Sequence, residues 1–226
     1  MRPETTLFYD VDTQRDFVLP DGKLFIPGTD RIIPRLATIT ELARQTGVRV
    51  IASVDRHFPG DPELKRNGGQ FPDHCMDGTP GQRKIDATAP LNAVHVQNRD
   101  LADADLAAIL AHRDEVIFEK QLFDVFAGNR HAANLLPTLL ANFHDVVVYG
   151  VYTEVCVRDA MAGLLPMGPR IHVVTDAIAD IGPDGDAHRI HWKERGANLL
   201  TLAELTQRLR ESDGASPQVR RRSRSR

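Results

Sequence analysis

Two kinds of pattern alternate along this chain. Short runs of β-branched and aromatic residues are followed by longer stretches whose apolar positions recur at helical spacing. TTLFYDVD (5–12) reads as a buried strand, RIIPRLATITELARQTG (31–47) as a helix stopped by Gly47, and VRVIASVD (48–55) as the next strand. DADLAAILAHRD (103–114) reads as a helix and EVIFEK (115–120) as a strand. HAANLLPTLLANFH (131–144) has helical spacing with a bend expected at Pro137, and the very apolar strand DVVVYGV (145–151) follows. TEVCVRDAMAGLLP (153–166) reads as a helix with Thr153 as its N-cap, RIHVVTDA (170–177) as a fifth strand, ANLLTL (197–202) as a sixth, and AELTQRLRES (203–212) as a closing helix. This alternation predicts a three-layer α/β/α fold, Rossmann-like, with a mostly parallel six-stranded sheet covered on both faces.

Composition narrows the class. A chain of 226 residues suits one domain, placed at 1–211, because single cores stop growing only near about 250–300 residues. The N-terminus shows no signal peptide, no run reaches the length of a membrane span, and two cysteines are too few for a disulfide framework. The expectation is a cytoplasmic protein with no membrane partner. The net charge is −3, but the five Arg and one Asp of SDGASPQVRRRSRSR (212–226) contribute +4, which leaves −7 on the rest. An acidic body argues against nucleic acid as a partner. The basic tail reads as a disordered, solvated terminus, with a tether for polyanions as the other reading.

In open α/β sheets, ligands bind beyond the carboxyl ends of the strands. Those ends collect reactive side chains here: Asp12, then Asp55 and His57, then Lys120, then Gly150–Tyr152 with Cys156 in the first turn of the next helix. Cys156 is either a small buried hydrophobe or a nucleophile whose thiol pKa a helix N-terminus lowers. Asp12 is either a turn cap or a desolvated base. Period-two alternation puts Asp10 on the same strand face, so it is not separated from Asp12, while Asp16 fits a capping role. Lys120 is either a surface residue paired with Glu119 or a cation beside the thiol.

A second constellation lies in VDRHFPGDPELKRNGGQFPDHC (54–75). Residues i and i+2 of an extended segment face the same way, so Asp55 and His57 can hold one ion. His74 is a third candidate ligand and Glu63 a fourth. One carboxylate and two imidazoles suit Zn first, with Fe or Mn as alternatives. The competing reading is a set of polar loop residues.

Together these residues resemble the nicotinamidase branch of the isochorismatase-like cysteine hydrolases. The similarity is carried by DVDTQRDF (10–17), VDRHFPG (54–60), FPDHCMDGTPG (71–81), EKQLFDVF (119–126) and YGVYTEVCVRDA (149–160), in the family's order. The resemblance implies an isochorismatase-like fold. It also implies Asp12 as general base, Lys120 as the catalytic lysine, Cys156 as nucleophile, and Asp55, His57 and His74 as metal ligands. A cis peptide between Val151 and Tyr152 is implied as well, with the amides of Tyr152 and Cys156 as an oxyanion hole. The implied reaction is hydrolysis of a small carboxamide to carboxylate and ammonia through a thioester, in a chain that is a homo-oligomer by analogy.

Three positions depart from the family pattern. Arg56 stands where an aromatic is usual, Tyr152 where a small residue is usual, and Glu154 follows Thr153 where the family often has Asp. Phe17, Arg56 and Tyr152 are therefore the expected substrate-pocket residues, with Arg56 free to meet a substrate carboxylate. The alternatives are a hydrolase of another small amide or ureido acid on the same scaffold, and a non-catalytic binding scaffold.

Overall fold

The computed structural model describes residues 1–213; the basic segment 214–226 lies outside the described residues. Its sheet is built from β1 (Thr6–Val11), β2 (Arg49–Asp55), β3 (Ala93–Val96), β4 (Glu115–Lys120), β5 (Asp145–Val151), β6 (Arg170–Ala179) and β7 (Asn198–Leu200). Between and after them run α1 (Arg15–Val18), α2 (Ile33–Thr46), α3 (Asp103–Ala111), α4 (Val125–Gly128), α5 (Ala132–Leu140), α6 (Arg158–Leu164), α7 (Gly185–Glu194) and α8 (Leu202–Asp213). The strand order is β3-β4-β2-β1-β5-β6-β7, and every pairing is parallel.

The expected α/β architecture is observed, with seven strands rather than six. The extra one, β3, is an edge strand of four residues (AVHV) in which only Val96 is buried. It lacks the apolar run by which a central strand is recognised.

Period-two alternation explains how the sheet joins two cores. Leu7, Tyr9 and Val11 of β1, with Val146 and Val148 of β5, pack against Ile109 of α3, Leu136 of α5 and Met161 of α6. Phe8, Val147 and Tyr149 face the other way, onto Leu36 and Ile39 of α2 and Leu205 of α8. α2 stops where the sequence predicts, because Gly47 takes a left-handed φ of 71°.

β1 and β5 are neighbours, but the chain leaves β1 toward one edge of the sheet and β5 toward the other. Their carboxyl ends therefore open a crevice. Gly150, with φ 122°, lets the two strands close up there: a Cβ on it would sit 2.0 Å from the Val11 carbonyl oxygen. The long connection from β2 to β3 folds over this edge as loops and short turns and carries His57, Glu63 and His74.

Candidate active site

Asp12 leaves the strand with a left-handed φ of 49°, which is uncommon for a residue with a side chain. That backbone turn breaks the alternation that would have put Asp12 beside Asp10. Asp10 instead pairs with Lys84 at 2.9 Å and accepts from the Thr13 hydroxyl at 3.1 Å. Asp12 accepts from the Ser53 hydroxyl at 2.7 Å and lies 2.9 Å from the Lys120 ammonium.

Lys120 is buried at the end of β4 and meets three groups. Its Nζ contacts Asp12 Oδ2, Asp55 Oδ1 and, at 3.6 Å, Cys156 Sγ. Its neighbour Glu119 is not its partner. Glu119 takes Arg56 Nη1 at 2.6 Å and His95 Nδ1 at 2.9 Å.

Burial opposes the Lys120 charge, but Asp12, Asp55 and Cys156 outweigh it and hold its pKa well above the usual value. Burial likewise opposes ionisation of Asp55, and Lys120 with the two imidazoles holds its carboxyl well below the usual range. Asp12 goes the other way. Burial raises its pKa and the Asp55 charge adds to this, while Lys120 and Ser53 pull it back.

Cys156 lies in a five-residue π-helical turn, Thr153–Val157, that precedes α6. The expected lowering of its pKa does not result. Burial pushes the thiol well up, Lys120 pulls it down, and Asp12 and Asp55 raise it again. Burial and the neighbouring carboxylates thus favour the neutral thiol, with Lys120 opposing them. Thr153 is not the expected N-cap, because Tyr152 holds that position and the Thr153 hydroxyl donates to the Ala179 carbonyl at 3.1 Å. The Val151–Tyr152 peptide is cis.

Four buried side chains converge beside this group. Ligand-type atoms of Asp55, His57, Glu63 and His74 all lie within 4.8 Å of one another. His57 Nε2 is 3.8 Å from both Asp55 Oδ2 and Glu63 Oε1, and His74 Nε2 is 3.5 Å and 3.9 Å from the same two oxygens. A tetrahedral ion with bonds of about 2.0–2.2 Å separates its ligands by about 3.3–3.6 Å, so these residues need only small movements to hold one.

Unmet hydrogen-bonding capacity points the same way. His57 Nε2 and both Glu63 carboxylate oxygens are buried without a hydrogen-bond partner, a costly state that a cation relieves. The far nitrogens are already oriented: His57 Nδ1 meets Asp61 Oδ2 at 3.0 Å, and His74 Nδ1 donates to the Pro72 carbonyl at 2.8 Å. Two imidazoles and two carboxylates suit a divalent cation.

Asp55, His74 and Cys156 form the polar floor of a small cleft. Its walls are apolar: Phe17, Leu24, Ile26, Phe71, Phe123, Tyr152, Val155 and Ile181. Phe17 stands edge-on to Tyr152 with ring centroids 6.0 Å apart, and Phe71 edge-on to Phe123 at 5.3 Å. Arg56 is not brought to this cleft. Asp77, at 2.8 Å, and Glu119 hold its guanidinium elsewhere, over the Phe58 ring.

The structure thus gathers Asp12, Lys120, Cys156, Asp55, His57, His74, Glu63, Phe17 and Tyr152, and leaves Arg56 outside. Sequence reasoning did not single out Ser53, Asp61 or Gln14. Gln14 clamps Asp55 from both sides of its backbone, accepting its N–H at 2.6 Å and donating to its C=O at 2.7 Å. Position was the available signal, since all three residues lie within the segments quoted above or beside them.

Comparison with known proteins agrees with this picture. The isochorismatase domain family matches residues 7–204. A nicotinamidase of Escherichia coli is 24% identical over 214 residues, covering 86% of this chain and 93% of its own. A probable inactive nicotinamidase of Arabidopsis thaliana is 26% identical over 215 residues, covering 92% and 98%. The pyrazinamidase of Pyrococcus horikoshii, solved in complex with zinc, superposes with a TM-score of 0.68 at 26% identity, covering 87% of this chain and 99% of its own.

Proposed function

The chain belongs to the isochorismatase family, and on that premise we propose that it is a metal-assisted cysteine amidohydrolase of the nicotinamidase type. The observation that carries this reading is the contact of Lys120 with Asp12, Asp55 and Cys156 behind the floor of an apolar cleft, beside four convergent ligand atoms. The E. coli relative, a nicotinamidase, supports it.

In the reaction, the Asp12 carboxylate takes the proton of the Cys156 thiol. Lys120 touches both groups, so it favours the thiolate as it forms. The sulfur attacks the carboxamide carbon, and the carbonyl oxygen gathers charge against the amides of Tyr152 and Cys156. Protonated Asp12 gives its proton to the departing nitrogen, and ammonia leaves a thioester on Cys156. Asp12 then takes a proton from water, the hydroxide equivalent adds to the thioester, and carboxylate and free thiol result. A divalent cation, zinc as the first candidate, would be held by Asp55, His57, Glu63 and His74 and would supply a Lewis-acid anchor for a donor atom of the substrate.

The cleft favours a neutral amide on a flat ring over a ureido acid. Its walls are aromatic or aliphatic, and no Arg or Lys lines it among the described residues. Arg56 is engaged elsewhere, by Asp77 and Glu119.

Ammonia release tests the reading directly. The zinc-loaded protein and Cys156→Ala are compared on nicotinamide, pyrazinamide and a set of ureido acids. Release from the ring amides, lost in the variant, is expected. Release only from a ureido acid moves the substrate, and release from none contradicts the reading and leaves a non-catalytic scaffold.

A further inference from the structure

Two apolar walls of the cleft lie on segments with little regular structure. Leu24 and Ile26 sit on the segment between α1 and α2, and Ile181, 40% exposed, sits just after β6. Both segments are tied to one short piece of chain, the residues directly before Cys156.

The Tyr152 hydroxyl reaches the first wall. It lies 2.6 Å from the Phe17 carbonyl and 3.0 Å from the Leu24 carbonyl, and it accepts the Ile26 amide at 3.2 Å. A phenol has one proton and its lone pairs, so these contacts occupy it fully. This wall is also tied at its near end, where the Lys23 and Leu24 amides donate to the side chain and carbonyl of Asp16, and beyond it, where the Ile26 carbonyl accepts the Thr29 amide at 3.0 Å.

Glu154 reaches the second wall. One of its oxygens accepts the Ile181 amide at 2.8 Å and the other accepts the Gly182 amide at 3.0 Å. Tyr152 and Glu154 therefore act as two arms, each holding one of these walls from the turn that carries Cys156.

We infer that Tyr152 and Glu154 are specificity-determining positioning residues, which brace the two walls and so fix the width of the cleft at that of a small flat amide. The inference rests on the amidase reading. Each arm bonds only its own wall, so removing an arm should loosen that wall and not the other.

Tyr152→Phe removes only the hydroxyl and keeps the ring beside Phe17, and Glu154→Gln removes one of two acceptor oxygens. Backbone hydrogen exchange and steady-state kinetics are measured on both, with nicotinamide and a ring-methylated nicotinamide as substrates. Tyr152→Phe should speed exchange at Ile26 about three- to tenfold, the worth of one hydrogen bond, and leave Ile181 and Gly182 at the wild-type rate. Glu154→Gln should do the reverse. Each variant should change KM more than kcat and shrink the preference for the unmethylated ring. Wild-type exchange at both walls in both variants overturns the inference, and so do loosened walls with unmoved KM and preference. If the wild type hydrolyses no ring amide, the amidase reading has failed, and unchanged exchange rates alone still overturn the bracing.

Discussion

Asp10 and Asp12 stand two residues apart at the end of β1, and each meets a buried lysine. Around Asp10 the charges balance: Lys84 pairs with Asp10 and donates to the Thr13 hydroxyl at 2.8 Å, which in turn bonds Thr88, while nearby Glu115 is offset by Lys84 and Arg44 together. Around Asp12 they do not. Lys120 serves Asp12 and Asp55 together, with the Cys156 thiol as a third neighbour and Glu63 close by. A buried excess of negative charge is costly unless a cation or a proton joins it. On the proposed reading the first pair is inert, and the second takes up a metal ion and moves a proton. The reactive site is marked less by which residues it contains than by the imbalance among them.

The largest expected effect separates the two aspartates. Asp12→Asn should lower kcat/KM by about 10²–10⁴-fold, the usual worth of a positioned acid–base group. Asp10→Asn should keep turnover within a few-fold and lose stability instead, read as a fall in the urea midpoint. Comparable loss of activity in both variants would erase the distinction.

The lysines sharpen it. Lys84→Met and Lys120→Met each break a buried ion pair, so each should cost about 3–5 kcal/mol in denaturant unfolding of the metal-free protein. Saturating zinc should restore more stability to Lys120→Met, because a cation can neutralise Asp55 but cannot reach Asp10. Equal rescue of both would show that the cation sits elsewhere.

A smaller effect is expected one bond from the ligands. Asp61→Asn leaves the four ligands in place but weakens the hold on His57 Nδ1, and zinc affinity by competition titration should fall about 10–100-fold. Affinity within a factor of two of wild type would remove His57 from the ligand set.

The smallest effect concerns pH. Because burial and Asp55 raise the Asp12 pKa, Asp12 is protonated, and unable to accept the thiol proton, up to a pH above the ordinary carboxylate range. Activity should therefore rise with pH through an acid limb that lies above 3.8. Ser53 donates to the ionised form, so Ser53→Ala should move that limb further up. A limb that stays put would mean that another group sets it.

Much of this was legible in one dimension. The β–α alternation gave the layers, and residues at strand ends gave Asp12, Asp55, Lys120 and Cys156 as neighbours before any coordinates. What stayed hidden depends on contacts far apart in sequence. The left-handed turn at Asp12 that separates it from Asp10 has no local signature. The direction of Arg56 depends on Asp77 and Glu119, and the cleft walls come from residues near 24, 71, 123 and 181, which meet only in the fold. β3 escaped notice because an edge strand with one buried residue carries no apolar run.

The most direct measurement is intact and peptide mass spectrometry of the zinc-loaded enzyme, acid-quenched during turnover of nicotinamide. The predicted result is a nicotinoyl adduct on the peptide that contains Cys156 and none on the peptide that contains Cys75. Steady ammonia release without any adduct, persisting in Cys156→Ala, would contradict the assignment of Cys156 as the nucleophile.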